Sequence, residues 1–110
     1  MPKISERPRG GEYAWKVMVN RPLLKDAQWK ADERGEILSE RLRQLVFEYV
    51  SGKLDVAKYL VNGDATHRLS QLSFRLRPAL REQCMSCLEA DARDQRTLFR
   101  ALLNAYIKRK

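Results

Sequence analysis

The segment that most constrains this chain runs from Tyr13 to Asn20 and reads Tyr-Ala-Trp-Lys-Val-Met-Val-Asn. Its strict alternation puts Trp15, Val17 and Val19 on one side of an extended strand and Lys16, Met18 and Asn20 on the other. A strand carries unpaired N–H and C=O groups along both edges and must find a partner for them. The remaining sequence offers no clear second strand, so the simplest partner is the same strand from another copy. The expectation is a homodimer closed by an intermolecular antiparallel β-ribbon, with Trp15, Val17 and Val19 in its core and one short strand per chain.

Two helices follow directly. Pro22 suits a first helical turn, where its missing N–H costs nothing. Leu24, Ala27, Gln28 and Ala31 form a thin inward stripe, and Gly35 suits a left-handed C-terminal cap. The second helix is more strongly amphipathic: Leu38, Leu42, Leu45 and Tyr49 recur at helical spacing, widened by Val46 and Val50. Leu42, Leu45 and Val46 therefore join the expected dimer core. Beyond Gly52 the chain reads as helices throughout. A short one spans Leu54–Val61, and a second spans Ala65–Leu76 behind Asp64, with Ala65, Leu69, Leu72 and Leu76 on one face. A third opens at Pro78 with Leu80, Cys84, Cys87 and Leu88 in line. A last one, capped by Asp91 or Asp94, carries Leu98, Phe99, Leu102, Leu103, Tyr106 and Ile107. The fold class expected is mainly α. Residues 1–12 are a flexible basic arm, 13–52 the strand-helix-helix unit, and 53–110 a helical C-terminal domain. No internal repeat is legible.

Among 110 residues, 22 are Lys or Arg and 14 Asp or Glu, a net charge of +8 that favours a polyanionic partner. Residues 1–52 carry 10 basic and 8 acidic side chains, net +2, whereas 53–110 carry 12 and 6, net +6. The longest acid-free stretch, 65–81, holds Arg68, Arg75, Arg77 and Arg81. Arg68, Arg75 and Arg77 are thus candidates for DNA-backbone contact, as are Lys3, Arg7 and Arg9 in the arm. No apolar run approaches the roughly 20 residues of a membrane span, and the first residues lack the apolar core of a secretory leader. Two cysteines without such a leader point to the reducing cytoplasm.

From Lys16-Val-Met-Val-Asn-Arg-Pro to Gly35-Glu-Ile-Leu-Ser-Glu-Arg-Leu-Arg-Gln-Leu-Val-Phe-Glu-Tyr49, the chain resembles the ribbon-helix-helix superfamily of Arc- and MetJ-type repressors. The resemblance covers residues 14–52. It implies that the outward strand residues Lys16, Met18 and Asn20 read base edges. Lys16 would donate to guanine, Asn20 would pair with adenine, and Met18 would meet a thymine methyl. It also implies a phosphate at the start of the second helix. Ile37 stands where the family often has a hydroxyl, which leaves Ser39 to take that role.

The remaining motifs carry little chemistry. Cys84-Met-Ser-Cys87 has C-x-x-C spacing, but zinc takes about four ligands and His67 is the one further soft donor, so buried thiols are expected. No nucleophile–base pair or glycine-rich phosphate loop stands out, so neither an enzyme nor a cofactor or metal is expected. The function expected is sequence-specific binding of double-stranded DNA by a homodimer, or a higher oligomer on DNA, acting as a transcriptional repressor. The same reader would serve an accessory protein of plasmid transfer (relaxosome) or partition, or an antitoxin whose residues 53–110 hold a protein partner. A helical interaction module without a DNA role is the contrasting class. No membrane association is expected.

Overall fold

In the computed structural model, residues 13–61 and 68–109 are described. Strand β1 (Tyr13–Asn20) runs without a break into helix α1 (Arg21–Arg34), with Pro22 in the first turn. Gly35 caps α1 in the left-handed region at φ 69°, and α2 (Leu38–Val50) follows. A short 3-10 turn, Val56–Tyr59, replaces the helix expected over 54–61. Its start is fixed by Asp55, whose side chain accepts from the Ala57 amide. Next comes β2 (Leu69–Leu76), then α3 (Pro78–Ala90) and α4 (Gln95–Lys108).

β2 corrects two expectations. The first is the helix expected over 65–76, of which residues 68–76 are among those described. Leu69, Leu72 and Leu76 fit helical spacing, but Leu72, Phe74 and Leu76 fit the strand period equally well. These three are buried, while Gln71, Ser73 and Arg75 are exposed. Local periodicity is ambiguous here, and pairing with β1 decides it. The second is the intermolecular ribbon with one strand per chain. β1 pairs antiparallel with β2 of the same chain, with Trp15 opposite Phe74, Val17 opposite Leu72 and Val19 opposite Ser70. The hydrogen-bonding need that called for a second copy is met internally. Residues 53–110 are therefore not purely helical, and their buried side chains share one core with those of 13–52.

That core lies under the ribbon. Trp15, Phe74 and Phe99 form an aromatic cluster: the Phe99 ring stands edge-on to Trp15 at 5.0 Å and to Phe74 at 5.4 Å between centroids. The Trp15 indole N–H donates to Gln95 at 2.8 Å, so its one polar atom is satisfied. Leu42 and Val46 from α2 meet Leu98, Leu102 and Leu103 from α4 in the same cluster.

The two halves of the chain repeat one another. α1 starts at residue 21 and α3 at 78; α2 starts at 38 and α4 at 95; both pairs are offset by 57 residues. The turns between the helices match at the same offset. Gly35 has φ 69° and Ala92 φ 56°. The Gly35 and Ala92 amides each donate to a carbonyl three residues back, at 3.2 Å, and those of Glu36 and Arg93 donate five back, at 2.9 and 3.0 Å. The tyrosines Tyr49 and Tyr106 share this offset, and each reaches across to the other half's turn. Tyr49 donates to Asp91 at 2.7 Å and Tyr106 to Glu36 at 2.6 Å. The chain is thus two strand-helix-helix halves that share a ribbon.

Candidate nucleic-acid interface

With Trp15, Val17, Val19, Leu72, Phe74 and Leu76 buried, the pleat turns the intervening side chains outward. β1 presents Ala14, Lys16 and Met18; β2 presents Gln71, Ser73 and Arg75; all six are exposed. The register sets them in three rows across the ribbon: Ala14 beside Arg75, Lys16 beside Ser73, and Met18 beside Gln71. Neither strand contains an acidic residue, so this face carries two cations, one amide and one hydroxyl with no carboxylate among them.

Arginines frame the ribbon. Arg77, exposed, lies between β2 and α3, and Arg68, exposed, precedes β2. The Arg68 carbonyl accepts from the Arg21 amide at 2.8 Å, which ties the far end of the ribbon to the start of α1. The Arg21 side chain donates to Ser70 at 2.9 Å. Arg81 is held over the Trp15 ring at 5.2 Å, so its charge is anchored to the core's edge.

Part of this face is legible in the sequence. Lys16 and Met18 point outward as expected, Met18 with 39% of its surface exposed. Asn20 does not. It is 3% exposed, and its side-chain oxygen accepts from Arg100 Nε at 2.8 Å, so it serves the junction of β1, α1 and α4 rather than a ligand. Asn20 is at once the last residue of β1 and the residue that caps the start of α1, and alternation stops applying there. Arg75, assigned to backbone contact from charge alone, stands on the outward face itself. Gln71 and Ser73 are hidden by a segment that reads as a helix; the Leu72-x-Phe74-x-Leu76 alternation is the signal that places them outward. Trp15, Val17, Val19, Leu42, Leu45 and Val46 are all buried, in the core of one chain rather than between two. Lys3, Arg7, Arg9 and His67 lie outside the described residues.

The start of α2 is less open to anions than a helix N-terminus usually is. Ser39 is half-buried in the first turn. Beside it, Glu36 is paired with Arg41 at 2.9 Å and accepts from Tyr106. The Tyr106 hydroxyl, and then the Arg41 and Arg34 guanidiniums, hold the Glu36 carboxyl below its usual range. At the matching turn Asp94 caps α4 by accepting from the Thr97 amide at 2.8 Å, a bond that lowers its own pKa. In both halves a carboxylate of the chain stands where a phosphate would approach.

Cys84 is buried on α3, and burial pushes its thiol up to about 12; Cys87 is half-buried. A thiol so protonated is a poor nucleophile and ligand at neutral pH. Among the described residues no helix is long and apolar enough to cross a membrane. Comparison with protein-family models, curated proteins and solved structures finds no match for this chain.

Proposed function

We propose that this protein binds double-stranded DNA sequence-specifically, laying the exposed face of the β1–β2 ribbon in the major groove, and that it represses transcription by covering a promoter. The observation that carries the reading is the ribbon's outward face: acid-free, exposed, and furnished with Lys16, Gln71, Ser73 and Arg75. The major groove admits a two-stranded ribbon, and these side chains match its base edges. Lys and Arg donate to guanine O6 and N7, Gln pairs with adenine N6 and N7, and Met18 offers apolar contact to a thymine methyl. The repeated strand-helix-helix layout supports a ribbon-helix-helix unit whose two halves belong to one chain. Arg68 and Arg77 at the ribbon's margins supply phosphate attraction, while the carboxylates at both second-helix starts make those termini poor clamps.

Fluorescence anisotropy on labelled duplexes over a range of salt tests the reading. Log K should fall linearly with log salt, by about 0.9 for each phosphate neutralised. R75A and K16A should each cost about 1–3 kcal/mol on the specific site and much less on random duplex, because base contacts specify and phosphate contacts position. Equal losses on both duplexes would remove the ribbon as reader. Footprinting of the DNA flanking the protein's own gene tests repression, with protection over the promoter expected. Protection confined to sites away from any promoter would overturn the repressor role while leaving the DNA reader intact.

A further inference from the structure

We infer that one chain, acting alone, recognises an asymmetric, non-palindromic DNA site, with β1 and β2 reading different half-sites in a fixed orientation. This rests on the DNA reading above and extends it to the symmetry of the target.

The outward residues of the two strands set the symmetry of the site. In a ribbon made from two identical strands, twofold-related positions carry identical side chains, so the favoured site is a palindrome. The 57-residue offset that relates α1 to α3 and α2 to α4 also relates the buried positions of β1 to those of β2: Trp15 to Leu72, Val17 to Phe74 and Val19 to Leu76. Carried to the exposed face, it pairs Ala14 with Gln71, Lys16 with Ser73 and Met18 with Arg75. None of these pairs preserves its chemistry. A methyl stands against an amide, an ammonium against a hydroxyl, and a thioether against a guanidinium. One end of the ribbon presents Ala14 with Arg75 and the other Met18 with Gln71. The buried mates stay apolar throughout, so the halves agree where they pack and differ where they face outward. A palindrome would set the same base edges before Met18 in one half and Arg75 in the other, and at most one of them would be matched. β1 and β2 are joined within one chain and already paired, so an assembled reader always holds one copy of each edge.

Selection with the full-length chain from a random-core duplex library is the test, followed by sedimentation velocity on the shortest duplex that keeps full affinity. The expected motif lacks twofold symmetry, and the complex holds one 12.9 kDa chain per duplex. Replacing one half of the selected site by the inverted copy of the other should weaken binding about tenfold or more. A twofold-symmetric motif, or two chains on the minimal duplex, would overturn the inference while leaving sequence-specific DNA binding in place. Failure to enrich any sequence would overturn the DNA reading itself, and the inference with it. The triple variant A14Q/K16S/M18R gives β1 the outward face of β2, and should select a palindrome built from the half-site that β2 reads. The converse Q71A/S73K/R75M should select the other palindrome. All six positions are exposed, so an effect on folding in one variant leaves the second to decide. An unchanged motif from a folded variant would show that the altered strand does not read.

Discussion

Asn20 shows how one side chain's role turns on where a strand ends and a helix begins. Alternation along β1 assigns it to the outward face, yet it is buried and accepts a hydrogen bond from the half-buried Arg100. N20A should therefore act through stability. Leaving the arginine N–H without its acceptor should cost about 1–3 kcal/mol, read as a lower denaturant midpoint. Specific and random DNA affinity should then be unchanged for the folded fraction. A variant of unaltered stability that loses only specific affinity would restore Asn20 to the reading face. A second residue-scale consequence concerns pH. Glu36 is depressed below its ordinary value of 4.5, chiefly by the hydroxyl of Tyr106. A depressed folded pKa contributes stability above the unfolded value and loses it as pH falls through the folded one. Denaturant midpoints should thus decline on acidification below about pH 4.5, and the decline should be shallower in E36Q. Equal slopes for the two proteins would show that the Tyr106–Glu36 contact carries no linkage. Tyr106 itself is raised, first by burial and then by Glu36. It therefore holds its contribution at neutral pH and loses it only in alkali.

At the scale of elements, the two interhelical turns are the same structure built from different residues. Gly35 adopts φ 69° without cost, whereas Ala92 adopts φ 56° against the preference of an L side chain. A Cβ at Gly35 would meet no atom within 4 Å, so the penalty there is conformational alone. A92G should stabilise the protein by up to about 1 kcal/mol and G35A should destabilise it by about the same, with unchanged denaturant slopes. A destabilising A92G would mean that Ala92 contributes more through its methyl group than its backbone costs. These elements also show what sequence could and could not display. The order β1, α1, Gly35, α2 was legible because each element carries its own signal: alternation, Pro22, glycine and a wide apolar stripe. The second half was legible in α3 and α4, through Pro78 and the run from Leu98 to Ile107, but not in β2, where Leu72 and Leu76 fit the helical period with Leu69 and the strand period with Phe74. The repeat stayed hidden because few residues are kept at the 57-residue offset, among them Leu23 and Leu80, Arg43 and Arg100, Leu45 and Leu102, and Tyr49 and Tyr106. Packing conserves apolar volume rather than identity. For the candidate site, Lys16 and Met18 followed from β1 alone, whereas Gln71 and Ser73 required the strand that periodicity failed to separate from a helix.

At the scale of the whole molecule, neither half has a core of its own. Trp15, Val17 and Val19 from the first half share a core with Phe74 and Phe99 from the second, and α4 places six buried side chains in it. β1 takes its ribbon partner from beyond residue 68, and Tyr49 and Tyr106 bind across the division in both directions. Unfolding should accordingly be one transition. Trp15, seated on Phe99 at the junction, makes fluorescence a probe of docking between the halves, while far-UV circular dichroism follows the helices. Coincident curves are expected from the two probes, the mark of two-state behaviour. Cutting the chain should separate the halves from their shared core. A fragment ending at Gly52 keeps β1, α1 and α2 but loses β2, α4 and the aromatic partners of Trp15. Removing those contacts exposes Trp15, Val19, Leu42 and Val46 together, an apolar surface that about 40 ordered residues cannot offset alone. At low micromolar concentration the fragment should lack a cooperative melt. Mixing it with a fragment of residues 53–110 should restore helical dichroism, and the restored signal should depend on the concentration of both, as binding coupled to folding requires. A 1–52 fragment that melts cooperatively as a monomer would mean that the first half is a domain in its own right. In that case the ribbon would join two folded units rather than create one.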